Sequence, residues 1–403
     1  MRDPLHGEKL DGRRAALTTA MVVAALAVLA LSRPRLAGTI GVLAAIIGMI
    51  MLHELGHFIM AKRAGMKVTE FFLGFGPRLW SFRRGETEYG VKAILAGGYV
   101  RIIGMSNVEE VDPADEERTY RAKPYRQRLG VAVAGSAMHF IIASVLLFLV
   151  YAAAGLPSAR PVVDHIEPGY PAAASDFRLG DRIVAINGQP VDEWEDVPTY
   201  VQDHGEAQLV FTMERSGGRL DIALTPRTET IDGKPVPRVG IGPQIYLERE
   251  PVHVAIGRTV GDMPRFTWAT IKALGGIFSP SGVENYTELL TGRGGDDNGR
   301  LLSPVGAARV AGDAVESGWA AVLMFLYAIN VFVGVFNMVP LLPLDGGHVA
   351  IATYEKIAST ITKRRVQVDV AKLMPITAAV LLVLVVMGIS ALYLDIVNPL
   401  EGP

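Results

Sequence analysis

Cysteine is absent from the 403-residue chain. That excludes disulfides and thiolate metal sites, and it suits a chain partly exposed to an oxidising exterior. Also missing is any surplus of positive charge: 39 Lys and Arg stand against 41 Asp and Glu, a net charge of −2. Nothing is left over to neutralise phosphates, which argues against a nucleic-acid partner. Charge of either sign is scarce at 20%, whereas 50% of residues are hydrophobic. Such a balance reads as a mixed membrane and soluble protein of two or three domains.

Five apolar segments stand out: 16–31, 37–60, 130–151, 319–344 and 371–394. Crossing the hydrocarbon takes about 20 residues, and the last four are long enough. The first is marginal. It follows Arg13 and Arg14, and no Ala-x-Ala cleavage site comes after it, so it reads as an uncleaved extra span rather than a signal peptide. Basic residues set the orientation. Lys62, Arg63, Lys67, Arg78, Arg83 and Arg84 in 61–129, and Lys356, Lys363, Arg364 and Arg365 in 353–370, place both connections on the cytoplasmic side. The stretch 152–318 is then outside. Arg33 and Arg35 are on the wrong side of the membrane if the extra span exists.

Within the second apolar segment the chain reads His53-Glu54-Leu55-Gly56-His57. On a helix, residues four apart share a face, so two imidazoles can reach one cation with the Glu beside it. In soluble proteins this spacing is a zinc grip with its general base. A pair of histidines on a helix face is the bland alternative, but ionisable groups at membrane depth are expensive and functional by default.

Catalytic zinc takes three protein ligands as a rule. Asp345 is the only acid in or beside 319–344, in the run Asn337-Met-Val-Pro340-Leu-Leu-Pro343-Leu-Asp345-Gly346-Gly347-His348. The prolines and glycines must break regular helix there and can turn a carboxylate inward. Topology agrees: if 37–60 runs inward, 319–344 does too, so both polar motifs meet at the cytoplasmic end. The competing reading makes Asp345 a helix-end residue at the water interface. His348 is a rival ligand, set back by the glycines.

Together these residues resemble the site-2 protease family of intramembrane zinc metalloproteases, closest to its bacterial branch with one extracytoplasmic PDZ domain, including actinobacterial members. The resemblance covers nearly all of 37–394 and rests on the two motifs in their order and separation. Gly74-Phe75-Gly76-Pro77, Glu88 to Ile94 and Gly97-Gly98-Tyr99-Val100 resemble its membrane-associated β-hairpin region. One departure is evident: where the family has Gly-Pro-x-x-Asn, this chain has Gly135-Ser136-Ala137-Met138-His139. His139 then either replaces the Asn as a hydrogen-bonding group or is a third imidazole with another purpose.

The resemblance implies one Zn2+ per chain on His53, His57 and Asp345, with Glu54 as the base that activates water. Asn337 is a candidate donor to the substrate backbone or the oxyanion, or else a packing amide. Helical hydrogen bonds shield a scissile amide, so a substrate must unwind. A hairpin over 67–101 could take it as an added strand, making Tyr89, Gly90, Val91, Gly97 and Gly98 candidate substrate-binding residues. The alternative is a hairpin that merely caps the bundle. Gly169 to Ala174 and Leu179-Gly180-Asp181-Arg182-Ile183 to Asn187-Gly188 resemble a bacterial PDZ domain, with strands at 208–215 and 219–224. The resemblance favours a filter that admits trimmed substrates over a tight peptide receptor.

The fold expected is a polytopic α-helical membrane protein with four core spans, an extra N-terminal span, a membrane-associated β-hairpin region and an inserted extracytoplasmic PDZ domain. Its boundaries are a cytoplasmic N-terminus and extra span at 1–36, the His-Glu-x-x-His span at 37–62 and the hairpin region at 63–129. A span at 130–155 and the PDZ domain at 156–247 follow. An amphipathic helix and loop fill 248–318, kinked at Pro264 and ending in a mobile loop over 279–303. The Asp345-bearing span at 319–352, a connection at 353–370 and the last span at 371–403 complete the chain. The acids from Glu109 to Glu117 read as a solvated face. Expected partners are the cell membrane's lipid bilayer, single-span substrates such as anti-sigma factors, and an upstream site-1 protease. Two other functions compete: a membrane PDZ scaffold or chaperone with a non-catalytic metal, and a zinc transporter. An intact Glu54 argues against the first, and clustering of the ligands at one depth argues against the second.

Overall fold

A computed structural model describes residues 28, 32–106, 109–231, 234–293 and 300–398. The expected extra span at 16–31 lies outside these, apart from Val28. Four described helices are long and apolar enough to cross a membrane: α1 (Pro34–Arg63), α2 (Tyr125–Leu149), α7 (Trp319–Asn337) and, at the C-terminus, α9 (Met374–Val397). Pro34 opens α1, where its missing N–H costs nothing, and Lys62 and Arg63 close it against the negative end of the helix dipole. The chain divides into two units, Tyr151–Val252 and the remainder.

In the larger unit, β1 (Val68–Arg84) and β2 (Thr87–Ile102) form a sheet on themselves. Each is bent, so the sheet has four runs. Phe71 pairs with both Val100 and Tyr89, and Phe72 with both Tyr99 and Gly90, while Ser81 pairs with Gly90 from the far side. The runs therefore lie in the order 98–102, 68–73, 88–91 and 78–84. Buried Met66, Val68, Ile102, Tyr120 and Val131 pack against Ala61 and seat this sheet on α1 and α2. Each large side chain of that kind contributes about 1.5–3 kcal/mol.

Small residues decide how α1 and α2 cross. A Cβ on Gly56 would stand 2.5 Å from the Ala134 carbonyl oxygen, and one on Gly135 would overlap the imidazoles of α1. Glycine at both positions lets the two backbones touch, as helix pairs in lipid require.

Past α2 the chain enters the smaller unit. Its sheet runs β10-β3-β4-β6-β7, with β5 beside β4. The strands are β3 (Leu156–Ile166), β4 (Arg182–Ile186), β5 (Gln189–Pro190), β6 (Leu209–Arg215), β7 (Gly218–Leu224) and β10 (Ile241–Glu248). A separate hairpin pairs β8 (Arg227–Ile231) with β9 (Lys234–Arg238). Helix α3 (Asp196–His204) adds Val197 and Val201 to a core of Ile183, Ile186, Phe211 and Met213. Asp181, 1% exposed, takes a bidentate grip from Arg215 at 2.7 and 2.8 Å and the Arg178 N–H at 2.8 Å. Burial pushes this carboxyl up, but the guanidinium and the N–H outweigh it and hold it below the ordinary aspartate value.

Two expectations need correction. Most of the described part of 279–303 is helical, not loop: α5 (Pro280–Thr291) is capped by the Ser279 hydroxyl and stopped by Gly292 at φ +66°, the left-handed position glycine favours. The acids of 109–117 are not simply solvated. Glu109 accepts the Gly104 N–H, Asp115 pairs with Lys67 and Glu116 with Arg121. The connection 353–370 is half helix, because α8 (Asp345–Thr362) begins at the acid itself and runs on. Before α5, the amphipathic α4 (Val252–Ile277) carries Pro264 within it. Ahead of α7, α6 (Pro304–Ser317) meets α9 at Asp395, a buried acid that takes Arg300 at 2.6 Å and the Ser303 N–H at 2.7 Å.

Candidate metal centre

His53 and His57 are the buried face of α1, and Asp345 is the first residue of α8, where the positive helix end favours a carboxylate. The chain reaches Asp345 by reversing over 338–344. Gly346 and Gly347 make that reversal possible: a Cβ on the first would stand 2.3 Å from the Met338 and Val339 oxygens, and one on the second 2.6 Å from the Leu342 nitrogen. This is the physical content of the Asp-Gly-Gly run.

Three donor atoms converge. His53 Nε2 and His57 Nε2 are 3.2 Å apart, and Asp345 Oδ2 stands 3.4 and 3.3 Å from them. Tetrahedral ligands roughly 2.0–2.1 Å from zinc stand about 3.3 Å from one another, so the triangle has the size zinc requires. Asp345 Oδ2 is buried without a hydrogen-bond partner, a costly state that a cation would relieve. His57 Nδ1 lies 2.7 Å from the Val131 carbonyl and donates to it, which leaves the Nε2 lone pair facing the other two donors. Among the described residues, these three are the group that could hold a metal ion. The residues fit zinc.

Glu54 sits half-buried beside the triangle and faces the Val100 backbone N–H. Gly98 lies against it as well, since a Cβ there would stand 3.4 Å from Glu54 Cγ and 2.9 Å from Met51 Sδ. The run 98–102 pairs on one side only, with β1. Gly98 thus borders Glu54, whereas Tyr89, Gly90 and Val91 do not form a free edge. Gly90 is flanked by Phe72 and Ser81, and both sides of that run are already paired. A strand cannot be added there, so the expectation for these three residues is corrected. Asn337 is half-buried at the last turn of α7, just before the reversal. His348 stays outside the donor group, its ring 6.2 Å from that of Tyr120.

Two features escaped sequence reasoning, which had singled out His139 as a hydrogen-bonding group or third imidazole but neither its partner nor the packing role of Gly135. Gly135 is the floor under both imidazoles: a Cβ would stand 2.3 Å from His57 Nε2 and 2.5 Å from His53 Cε1. The other is a buried pair, His139 with Asn330 of α7. A glycine in an apolar run was the available signal for the first; nothing local in the sequence links the second pair.

Apolar helices, a β region and this donor triangle define a multi-pass membrane protein with a site for one metal ion. Comparison with known proteins makes the class specific. The model of Peptidase family M50 matches residues 41–384, and the chain belongs to that family. It is 32% identical over 408 residues to the zinc metalloprotease Rip1 of Mycobacterium tuberculosis, covering 89% of this chain and 96% of that protein. To the Rip1 of Mycolicibacterium smegmatis it is 32% identical over 414 residues, with the same coverage. The chain is therefore a zinc metalloendopeptidase of the site-2 protease type, a membrane-embedded enzyme acting on membrane proteins, with zinc as its cofactor.

Proposed function

We propose that this enzyme cuts single-span membrane proteins inside the bilayer, with His53, His57 and Asp345 holding zinc and Glu54 as general base. The observation that carries the reading is the donor triangle of 3.2, 3.3 and 3.4 Å, drawn from two distant segments. When bound there, zinc supplies Lewis acidity towards a carbonyl oxygen and acidifies water. Glu54, facing the Val100 N–H, takes a proton from the attacking water and delivers it to the leaving amine. The substrate, unwound and extended, lies along the free edge at Gly97 and Gly98, which satisfies its backbone groups in lipid. Asn337 donates to its backbone from the end of α7.

Tyr151–Val252 serves as an extracytoplasmic PDZ domain; its strand-and-helix core and the Gly180-Asp181 and Asn187-Gly188 turns support this. It acts as a filter for substrates already trimmed by an upstream site-1 protease, anti-sigma factors among them. The basic connections favour the cell membrane with the active site near its cytoplasmic side.

The test is cleavage of a single-span reporter, with and without its outer domain, by purified zinc-loaded protein. Cleavage that stops on chelation and returns with zinc supports the reading; cleavage that persists in metal-free protein contradicts it. Deleting 160–229 should speed cutting of the untrimmed reporter, and unchanged selectivity would remove the filter. Gly98→Val should slow cutting about 10-fold or more, because its side chain meets Met51, Phe72 and Glu54. Undiminished cutting by that variant would argue for a hairpin that only caps the bundle.

A further inference from the structure

Hydrolysis as described leaves one buried polar pair beside the metal centre without a task. His139 of α2 and Asn330 of α7 are 2% and 0% exposed. Asn330 donates its amide to the Leu326 carbonyl, 2.8 Å away and one turn back on the same helix. The same amide nitrogen faces Met49 Sδ at 2.7 Å. Its oxygen is thereby turned toward His139 Nδ1, at 2.8 Å. An amide oxygen can only accept, so Nδ1 carries the proton and the neutral ring keeps its lone pair on Nε2. Flipping the amide would set its oxygen against the Leu326 oxygen, which fixes the assignment.

His139 Nε2 bonds to no described residue. The ring centroid lies 5.0 Å from that of His53, yet His139 is not among the three converging donors. It stands one helical turn along α2 from Gly135, the floor of the site. An acceptor fixed so tightly, and left open beside the reacting centre, calls for a donor from elsewhere. The protein's own backbone N–H groups in these helices are already used. An unwound substrate brings new ones, each costly in lipid unless paired.

We propose that His139 Nε2 accepts a backbone N–H of the substrate close to the scissile bond, and that Asn330 is the positioning residue that holds the imidazole in the accepting tautomer. This rests on the proteolytic reading of the site. The β2 edge then serves one side of the extended substrate, and His139 supplies an acceptor from the helix bundle.

The test uses full-length zinc-loaded protein and a series of substrates in which single backbone N–H groups flanking the scissile bond are replaced by ester oxygen. With wild type, one ester position should lower kcat/KM roughly 10- to 100-fold, as expected for an unpaired buried acceptor. His139→Leu should lose a similar factor on the all-amide substrate and show no added loss from that ester. Asn330→Leu should fall between the two. His139→Gln, which can place an oxygen where Nε2 stood, should recover most of the rate. Zinc content measured by metal analysis should stay at one per chain throughout. Equal ester losses in wild type and variants, or loss of zinc from the His139 and Asn330 variants, overturns the proposal. Failure of wild-type protein to cut the all-amide substrate is a separate outcome that overturns the proteolytic reading with it.

Discussion

Glu54→Gln protein retains its zinc and cuts a single-span substrate roughly 10²- to 10⁴-fold more slowly than wild type. The glutamine keeps the size of the side chain and can still meet the β2 backbone, so neither the α1 packing nor the donor triangle is disturbed. What it lacks is a carboxylate that can take a proton from water and return it to the leaving amine, a function worth roughly 10²–10⁴ in rate. Metal analysis and cleavage measured on the same preparation check both halves. His57→Ala is the contrasting variant: it removes one of three donors and should lose zinc and activity together. Full proteolysis by Glu54→Gln would refute the base assignment, and loss of its zinc would place Glu54 among the ligands instead.

Gly135→Ala gives the second large effect, and it arises from a residue that carries no chemistry. The added methyl would stand 2.3 Å from His57 Nε2 and 2.7 Å from His53 Nε2, well inside any real carbon contact. Either both imidazoles turn away from Asp345 or α2 retreats from α1. In both cases the triangle opens, and zinc affinity and cleavage should each fall by about 10- to 100-fold, the scale seen when ligand orientation is lost. Gly41→Ala on α1 is the control, because a Cβ there meets nothing within 4 Å and should leave both quantities unchanged. Normal zinc content in Gly135→Ala would mean the helices can separate cheaply, and the close crossing would lose its importance.

Local chemistry made much of this protein readable in advance. Apolar length announces a span without any help from its neighbours, because the hydrocarbon thickness fixes how many residues are needed. Spacing of four within a helix puts His53 and His57 on one face whatever surrounds them. Two prolines and two glycines around Asp345 guarantee a break, and α8 does begin at that residue. The turns at Gly85 and Ser216-Gly217 likewise separate strands where their residues demand it.

Pairing partners were beyond local reach. Nothing in Tyr89-Gly90-Val91 signals that Phe72 and Ser81 will occupy its two sides, so an edge was expected where the sheet is closed. Equally, α5 is held by its Ser279 cap and by Tyr286 bonding Ser390 of α9 at 2.8 Å. A glycine-rich neighbourhood had suggested only a loop.

The amino-acid string by itself determined the chemical inventory: two imidazoles and a carboxylate on one helix, a single acid at a forced break, and spans of sufficient length to bury them. Only the tertiary structure decided that Gly135 lies under both rings, that 98–102 rather than 88–91 borders Glu54, and that Asn330 fixes His139. The physical reason is that periodicity and backbone preference act over a few residues, whereas these contacts join segments tens to hundreds of positions apart. Their geometry exists only once helices have packed.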